Sequence, residues 1–192
     1  MSCWYQLNLN INNSIKEDWM FPTPTNGQHG IWRLETHDIF NEEWINYIKT
    51  LGFNFDNVML FYRGPGISST SAHIDICNME PLEFSTCAVN WVIGGEGSEM
   101  VWYDIPPGDL EIKYTQANTP FIQWDINSLN KIDSCKIKEN PTLVKVSIPH
   151  GIVVGEHGRW CISARPLFEN TMFDWDQIVS KFKSTRLLVE RS

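Results

Sequence analysis

The stretch Ser71-Ala72-His73-Ile74-Asp75 is the point from which both the fold and the chemistry of this chain can be approached. Its polar and apolar residues alternate, which is the period of a β-strand. Side chains two positions apart in a strand point to the same face, so a strand here places the imidazole of His73 beside the carboxylate of Asp75. These two groups are two ligands of a candidate metal site.

Strand-like segments lie on both sides of this stretch. The run 57–62 is β-branched and aromatic, and the turn signal in 63–66 then leads the chain towards His73. Further short runs of strand character cover residues 87–93, 99–103, 112–114, 121–124, 142–146, 151–154 and 159–164. We expect hairpins at the two Gly-containing turns, within 87–103 and within 150–165. Many short strands with few helices predict a sandwich or a barrel.

Two helices are predicted beside these strands. The first begins at the capping residues 36–38, carries apolar residues at helical steps from Ile39 to Leu51, and ends at Gly52. The second covers 174–183, and its apolar side is formed by Trp175, Ile178, Val179 and Phe182.

The composition is typical of one compact domain. The chain has 192 residues, 42% of them hydrophobic, so residues 1–192 are expected to share a single core. A formal net charge of −8 disfavours a broad basic surface for nucleic acid or an anionic membrane. The N-terminus lacks the pattern of a signal peptide, and no apolar run approaches the roughly 20 residues of a membrane span. We therefore expect a cytoplasmic protein with no membrane partner.

A third metal ligand is available far downstream, at the start of another strand-like run. His150 would complete a set of two histidines and one carboxylate, which suits the oxygen chemistry of non-haem Fe(II) when further coordination positions stay open. Two alternatives stand beside this interpretation. His73 and Asp75 are a plain hydrogen-bonded pair in the first, and His157, in a Gly-flanked turn, replaces His150 as the ligand in the second.

Two arginines fall on one face of the last predicted strand. Arg159, Cys161, Ser163 and Arg165 occupy alternate positions, so their side chains share a face. An arginine that points into a barrel needs an anionic partner, because burying an unpaired charge is costly.

The combination of these residues resembles the Fe(II)- and 2-oxoglutarate-dependent oxygenases. It comprises His73-x-Asp75, the distal His150, and Arg159 nine positions later, and a Tyr…Pro-Gly approach beginning at Tyr62 precedes the first histidine. The resemblance covers a catalytic core of about residues 53–166. It implies a mostly β fold with flanking helices, namely a double-stranded β-helix, also called a jelly roll and similar to the cupins.

The resemblance also implies a cofactor and a cosubstrate. His73, Asp75 and His150 would bind Fe(II), which would leave positions for the 2-oxo acid end of 2-oxoglutarate and for O₂. Arg159 would hold the remote carboxylate of 2-oxoglutarate, and Tyr62 is a candidate second donor to it. The oxidation of a substrate would then accompany the release of succinate and CO₂.

Two further residues are candidates for the pocket. Arg165 is expected to be a second pocket arginine near the metal, and its spacing from Arg159 resembles the arginine pair of the AlkB-like nucleic-acid demethylases. The chain departs from those proteins at Cys161, where they carry an asparagine, and it shows no basic lid. Asn90, a polar residue in an apolar run, either lines the site or packs in the core. Which arginine holds the remote carboxylate stays open.

The sequence leaves rival functions open. One is a cupin-type metal-binding jelly roll without this oxygenase activity, such as an isomerase or a thiol dioxygenase. Another is a ligand-binding or virion-type jelly roll in which the histidines and the aspartate are incidental. If the protein is an oxygenase, its negative net charge fits a small-molecule or peptidyl substrate better than nucleic acid. The oligomeric state is not encoded in any recognisable pattern.

Overall fold

Short antiparallel strands dominate the structure, a computed structural model that describes residues 2–9, 14–24, 27–107, 111–115, 118–136 and 140–189. The strands are β1 (Trp4–Gln6), β2 (His29–Leu34), β3 (Phe53–Arg63), β4 (Ser71–Met79), β5 (Leu82–Phe84), β6 (Cys87–Gly94), β7 (Glu99–Tyr103), β8 (Ile112–Tyr114), β9 (Pro120–Asp125), β10 (Lys131–Lys136), β11 (Thr142–Lys145), β12 (His150–Val153) and β13 (Arg159–Phe168). The α-helices are α1 (Thr36–Ile39), α2 (Glu42–Thr50) and α3 (Trp175–Ser184), and a 3-10 helix covers Ile126–Ser128.

The strands form two sheets. The first, here called the helix-side sheet, has the order β1-β11-β6-β13-β3-β2, and the second sheet has the order β10-β7-β12-β4-β9-β8, with β5 paired to β4. The chain passes from one sheet to the other at β3–β4, β5–β6, β6–β7, β10–β11, β11–β12 and β12–β13. Four strands from each sheet, β3, β6, β11 and β13 against β4, β7, β10 and β12, thus make the eight-stranded jelly roll. The predicted fold class is confirmed.

The two predicted hairpins are wrong. β6 and β7 lie in different sheets, and so do β12 and β13. Gly94, Gly95 and Gly97 have φ angles of 69°, 74° and 78° in the first of these connections. Such left-handed backbone is readily available to glycine, and here it carries the chain over to the opposite sheet instead of turning it back beside β6. A Gly-rich turn therefore marks a change of direction without identifying the next strand's partner.

The helix predicted to end at Gly52 is two helices. Phe40 and Asn41 have extended backbone between α1 and α2, and the Asn41 side chain accepts a hydrogen bond from the backbone N–H of Trp44 at 2.8 Å. This side-chain cap starts α2 afresh, because it satisfies one of the N–H groups that a helix leaves unpaired at its beginning. The C-terminal helix is confirmed as α3, which Asp174 and Gln177 cap reciprocally.

The largest apolar core lies outside the barrel. The helices cover the outer face of the helix-side sheet, where Trp91, Ile162 and Phe182 are at most 1% exposed. A smaller cluster around Trp102 closes one part of the space near the second sheet. The helices therefore supply the packing, and the space between the sheets is left for a cavity. Among the described residues, no helix is long and apolar enough to cross a membrane.

Candidate metal centre

The structure brings His73, Asp75 and His150 together on the second sheet. His150 on β12 is the cross-strand partner of His73 on β4, and their ring centroids are 4.3 Å apart. One ligand atom from each of the three residues lies within 4.8 Å of the other two. His157 is exposed in the turn before β13 and is not part of this group, so the alternative in which it replaces His150 is wrong.

The tautomer of His150 is set by a backbone carbonyl. Its Nδ1 lies 3.0 Å from the carbonyl oxygen of Ile148. A carbonyl oxygen only accepts hydrogen bonds, so Nδ1 is the donor, and Nε2 is the nitrogen that the neutral tautomer offers to a metal. This is the arrangement by which ligating histidines are commonly oriented in metalloproteins. His150 is 4% exposed, so the surrounding packing restricts the movement of its ring.

The other two members of the group are partly open to the cavity. The Nε2 atom of His73 lies 3.6 Å from an Asp75 carboxylate oxygen, with side-chain exposures of 30% and 38%. Burial lowers the pKa of His73, and the neighbouring His150 and Arg63 lower it further. Burial raises the pKa of Asp75, although His150 opposes this. A neutral imidazole is ready to coordinate a metal, and a divalent cation would stabilise the carboxylate in its charged form.

The donor set fits a divalent transition metal. Two imidazole nitrogens and one carboxylate oxygen, all on one sheet, leave the cavity side for further ligands, which is the pattern of non-haem Fe(II) oxygenases. The cavity has a volume of about 520 Å³ and is lined by residues of both sheets. This is within the range of sites that hold small organic molecules.

Arg159 lies in the same cavity, on the helix-side sheet. Its side chain is 3% exposed, its Nε has no hydrogen-bond partner, and no carboxylate pairs with it among the described residues. The Cys161 thiol lies against it, and although burial raises the pKa of Cys161, the Arg159 charge counteracts this rise. An arginine buried without an acid requires an anion from elsewhere to offset its desolvation.

Arg63 is a cavity residue that the sequence analysis missed. It is paired in register with Arg159 across β3 and β13, and it also lines the cavity. Burial lowers the pKa of Arg63, and the neighbouring Arg159 lowers it further. The alternation of β3 could have identified it, because residues an even number of positions apart in a strand point to the same face. Arg63 is separated in this way from Met59 and Phe61, which also line the cavity.

Arg165 also lines the cavity, but its charge is already matched. Its Nε and Nη2 donate to the two carboxylate oxygens of Asp56 at 2.8 and 2.7 Å. A bulge makes this pair possible: the register between β13 and β3 shifts after Ser163, and Asn57 has a φ of 47°. An unbulged register would place Asn57 opposite Arg165. Arg165 is thus already paired, and Arg159 is the arginine that remains to bind a carboxylate from outside the chain.

The remaining two candidates have different outcomes. Asn90 lines the cavity, and its buried amide oxygen has no hydrogen-bond partner among the described residues. Tyr62 points to the other face of β3 and packs on Trp160, with ring centroids 4.6 Å apart. The expectation that Tyr62 donates to the cosubstrate is corrected by this placement, because adjacent residues of a strand cannot share a face and Arg63 faces the cavity.

Comparisons with known proteins add a distant likeness. No protein-family model matches the chain, and no curated protein matches it. Three solved structures of YcfD from Escherichia coli, two of which are described as a ribosomal oxygenase, are similar at 11%, 10% and 12% identity, with TM-scores of 0.35, 0.32 and 0.29. Each alignment covers 68% of this chain but only 27–29% of the YcfD chain. At such TM-scores the likeness carries no argument, and the strand topology and the site geometry stand by themselves.

Proposed function

We propose that this protein is an Fe(II)- and 2-oxoglutarate-dependent dioxygenase that oxidises, by hydroxylation in the simplest case, a small-molecule or peptidyl substrate. One observation carries the proposal. Two histidines and one aspartate converge on one wall of a cavity whose facing wall holds the buried, unpaired Arg159. A ligand that chelates a metal at one end and carries a separate carboxylate at the other end would match both features. 2-Oxoglutarate is such a ligand.

The chain's own residues would divide the work between the two sheets. His73, Asp75 and His150 would hold the metal, with His150 oriented by the Ile148 carbonyl. Arg159 would bind the remote carboxylate through two parallel N–H donors, a geometry that the guanidinium fork favours. When bound, Fe(II) with 2-oxoglutarate and O₂ supplies oxidative decarboxylation to succinate and CO₂, coupled to oxidation of the substrate.

The rest of the cavity would accept the substrate. Asn90 offers an unpaired amide oxygen, and hydroxyl groups from Ser68 to Ser71 line the wall nearest the start of β4. Polar groups of this kind orient small ligands within a pocket. The net charge of −8 makes nucleic acid the poorer substrate class, because a negatively charged protein repels the phosphate backbone.

An anaerobic titration tests the proposal. Fe(II) followed by 2-oxoglutarate should give the weak visible charge-transfer band of a 2-oxo acid chelated to iron, and admitting O₂ should then release succinate. The Asp75→Ala variant is the control, since it lacks one ligand but keeps the rest of the cavity. A cupin-type metal protein would bind the metal without the band, and a non-enzymatic jelly roll would give neither signal; either result would reject the proposal.

A further inference from the structure

Two arginines stand next to each other inside the cavity. Arg63 and Arg159 are direct cross-strand partners between β3 and β13, and both side chains face the space between the sheets. Like charges placed directly opposite each other in a sheet are destabilising. The cost is higher here than on an open surface, because Arg159 is 3% exposed and Arg63 is half-buried.

The protein provides no counter-charge for this pair. Among the described residues that line the cavity, Asp75 is the only one with a carboxylate, and it belongs to the metal group. Arg165, by contrast, has its own acid in Asp56, held by two short hydrogen bonds. The same cavity therefore contains one neutralised arginine and two that no described carboxylate neutralises. An external anion bound between them would offset the cost of holding these two guanidinium charges together.

We propose that Arg63 and Arg159 together bind the remote carboxylate of 2-oxoglutarate, with one guanidinium on each side of it. This inference rests on the proposed function and assigns to that site a residue from β3. One carboxylate has two oxygens and four lone-pair directions, so it can accept hydrogen bonds from both side chains. A shared carboxylate also converts the repulsion between the arginines into attraction of each for a common anion.

The pair makes the remote carboxylate a determinant of binding affinity. A 2-oxo acid that carries a methyl group in its place, such as 2-oxopentanoate, would leave both guanidinium groups desolvated without an anion. Sites built around buried polar groups discriminate strongly against ligands that lack the matching group, because those groups are then left unpaired. The two arginines are therefore expected to set the specificity for a dicarboxylic cosubstrate.

Calorimetric titration of the Mn(II)-loaded protein tests the proposal, with 2-oxoglutarate and 2-oxopentanoate as the probes. Arg63→Met should weaken the binding of 2-oxoglutarate by about 10- to 100-fold, as expected for a charge-assisted hydrogen bond. The same variant should leave the affinity for 2-oxopentanoate unchanged or improved. Arg63→Lys should recover part of the lost affinity, because it restores the charge without the planar fork. Arg186→Met, at an exposed arginine after α3, is the matched control and should bind both probes like the unmodified protein.

Each other outcome decides against the inference. If Arg63→Met binds 2-oxoglutarate as tightly as the unmodified protein while Arg159→Met does not, Arg63 is outside the carboxylate site. The inference then fails, and the proposed function still stands. If Arg63→Met weakens both probes equally, its effect is structural and the inference again fails. If the unmodified protein binds Mn(II) but neither probe, the proposed function itself is rejected, and the inference falls with it.

Discussion

His150 lies directly opposite His73 in the antiparallel pair of β12 and β4, so a cross-strand register brings together two residues that are far apart in the chain. Directly opposed residues of antiparallel strands have Cβ atoms roughly 4.5–5.5 Å apart. The separation of 4.3 Å between the two ring centroids is consistent with this pairing. A shift of one residue in the register would turn one ring to the outer face, so the pairing of the two strands and the metal group depend on each other.

Removal of the Asp75 carboxylate should abolish stable metal binding. Losing a group that only orients a metal ligand typically weakens metal binding by roughly 10- to 100-fold. Because Asp75→Ala removes a ligand itself, we expect it to weaken Mn(II) or Fe(II) binding by more than this. The fold should survive, because the side chain is 38% exposed and Asp75 is in none of the apolar core clusters of the described residues. Calorimetry measures the first effect and circular dichroism the second. The exposed Asp18→Ala is the control; equal metal affinity in both variants would contradict the ligand assignment.

The arginines of β13 should respond differently to substitution. Arg159→Ala removes an unpaired charge from the cavity, so it should raise the Kd for 2-oxoglutarate by about 10-fold or more. Its effect on folding stability should be small or even favourable.

Arg165→Ala should show the opposite pattern. It leaves Asp56 without its partner, and we expect a loss of about 1 kcal/mol in the free energy of unfolding, because the pair is partly exposed and screened. Urea denaturation and calorimetric titration on the same preparations separate the two effects. An increased Kd in Arg165→Ala with an unchanged Kd in Arg159→Ala would mean that the two roles are reversed.

The break between α1 and α2 should depend on Asn41. Asn41→Ala removes the acceptor for the Trp44 N–H and should lower the free energy of unfolding by about 1 kcal/mol. Asn41→Ser or Asn41→Asp should restore most of the loss, since both side chains cap helices well. Urea denaturation checks this order, and an unaffected alanine variant would show that the cap adds no net stability.

Two buried thiols should make the protein sensitive to alkaline pH. Burial, together with the Asp133 charge, raises the pKa of Cys3 from 9.0 to about 11, and burial raises the pKa of Cys87 to about 12. Above pH 9 the unfolded chain loses these thiol protons while the folded chain keeps them, so stability must fall as pH rises. Urea denaturation between about pH 8 and about pH 10.5 measures the decline. It should be shallower in Cys3→Ala, and an identical slope would contradict the cause given.

The sequence was informative where the evidence was local. Alternation within β4 placed His73 and Asp75 on one face, and alternation within β13 placed Arg159 and Arg165 on another. The apolar spacing of α3 likewise identified its buried side. Each of these features depends on a period that repeats within a few residues of one chain segment.

Features that depend on pairing between distant segments were missed. The chain crosses between sheets after β6 and after β12, and no local pattern distinguishes such a crossing from a hairpin. Arg63 becomes important only through its register with Arg159, and the assignment of Tyr62 failed by a single position of strand parity. Asp56 meets Arg165 because of a bulge, which shifts the parity of β3 at a point that the apolar pattern does not mark.

The metal group and the unpaired arginines are on opposite sheets. His73, Asp75 and His150 belong to β4 and β12, whereas Arg63 and Arg159 belong to β3 and β13. A molecule that reaches from the cation to the guanidinium groups therefore links the two sheets across the interior of the barrel, and this link is lost when the molecule dissociates. Its arrival should slow amide hydrogen exchange in all four strands together, while the metal by itself protects only the two that carry its ligands.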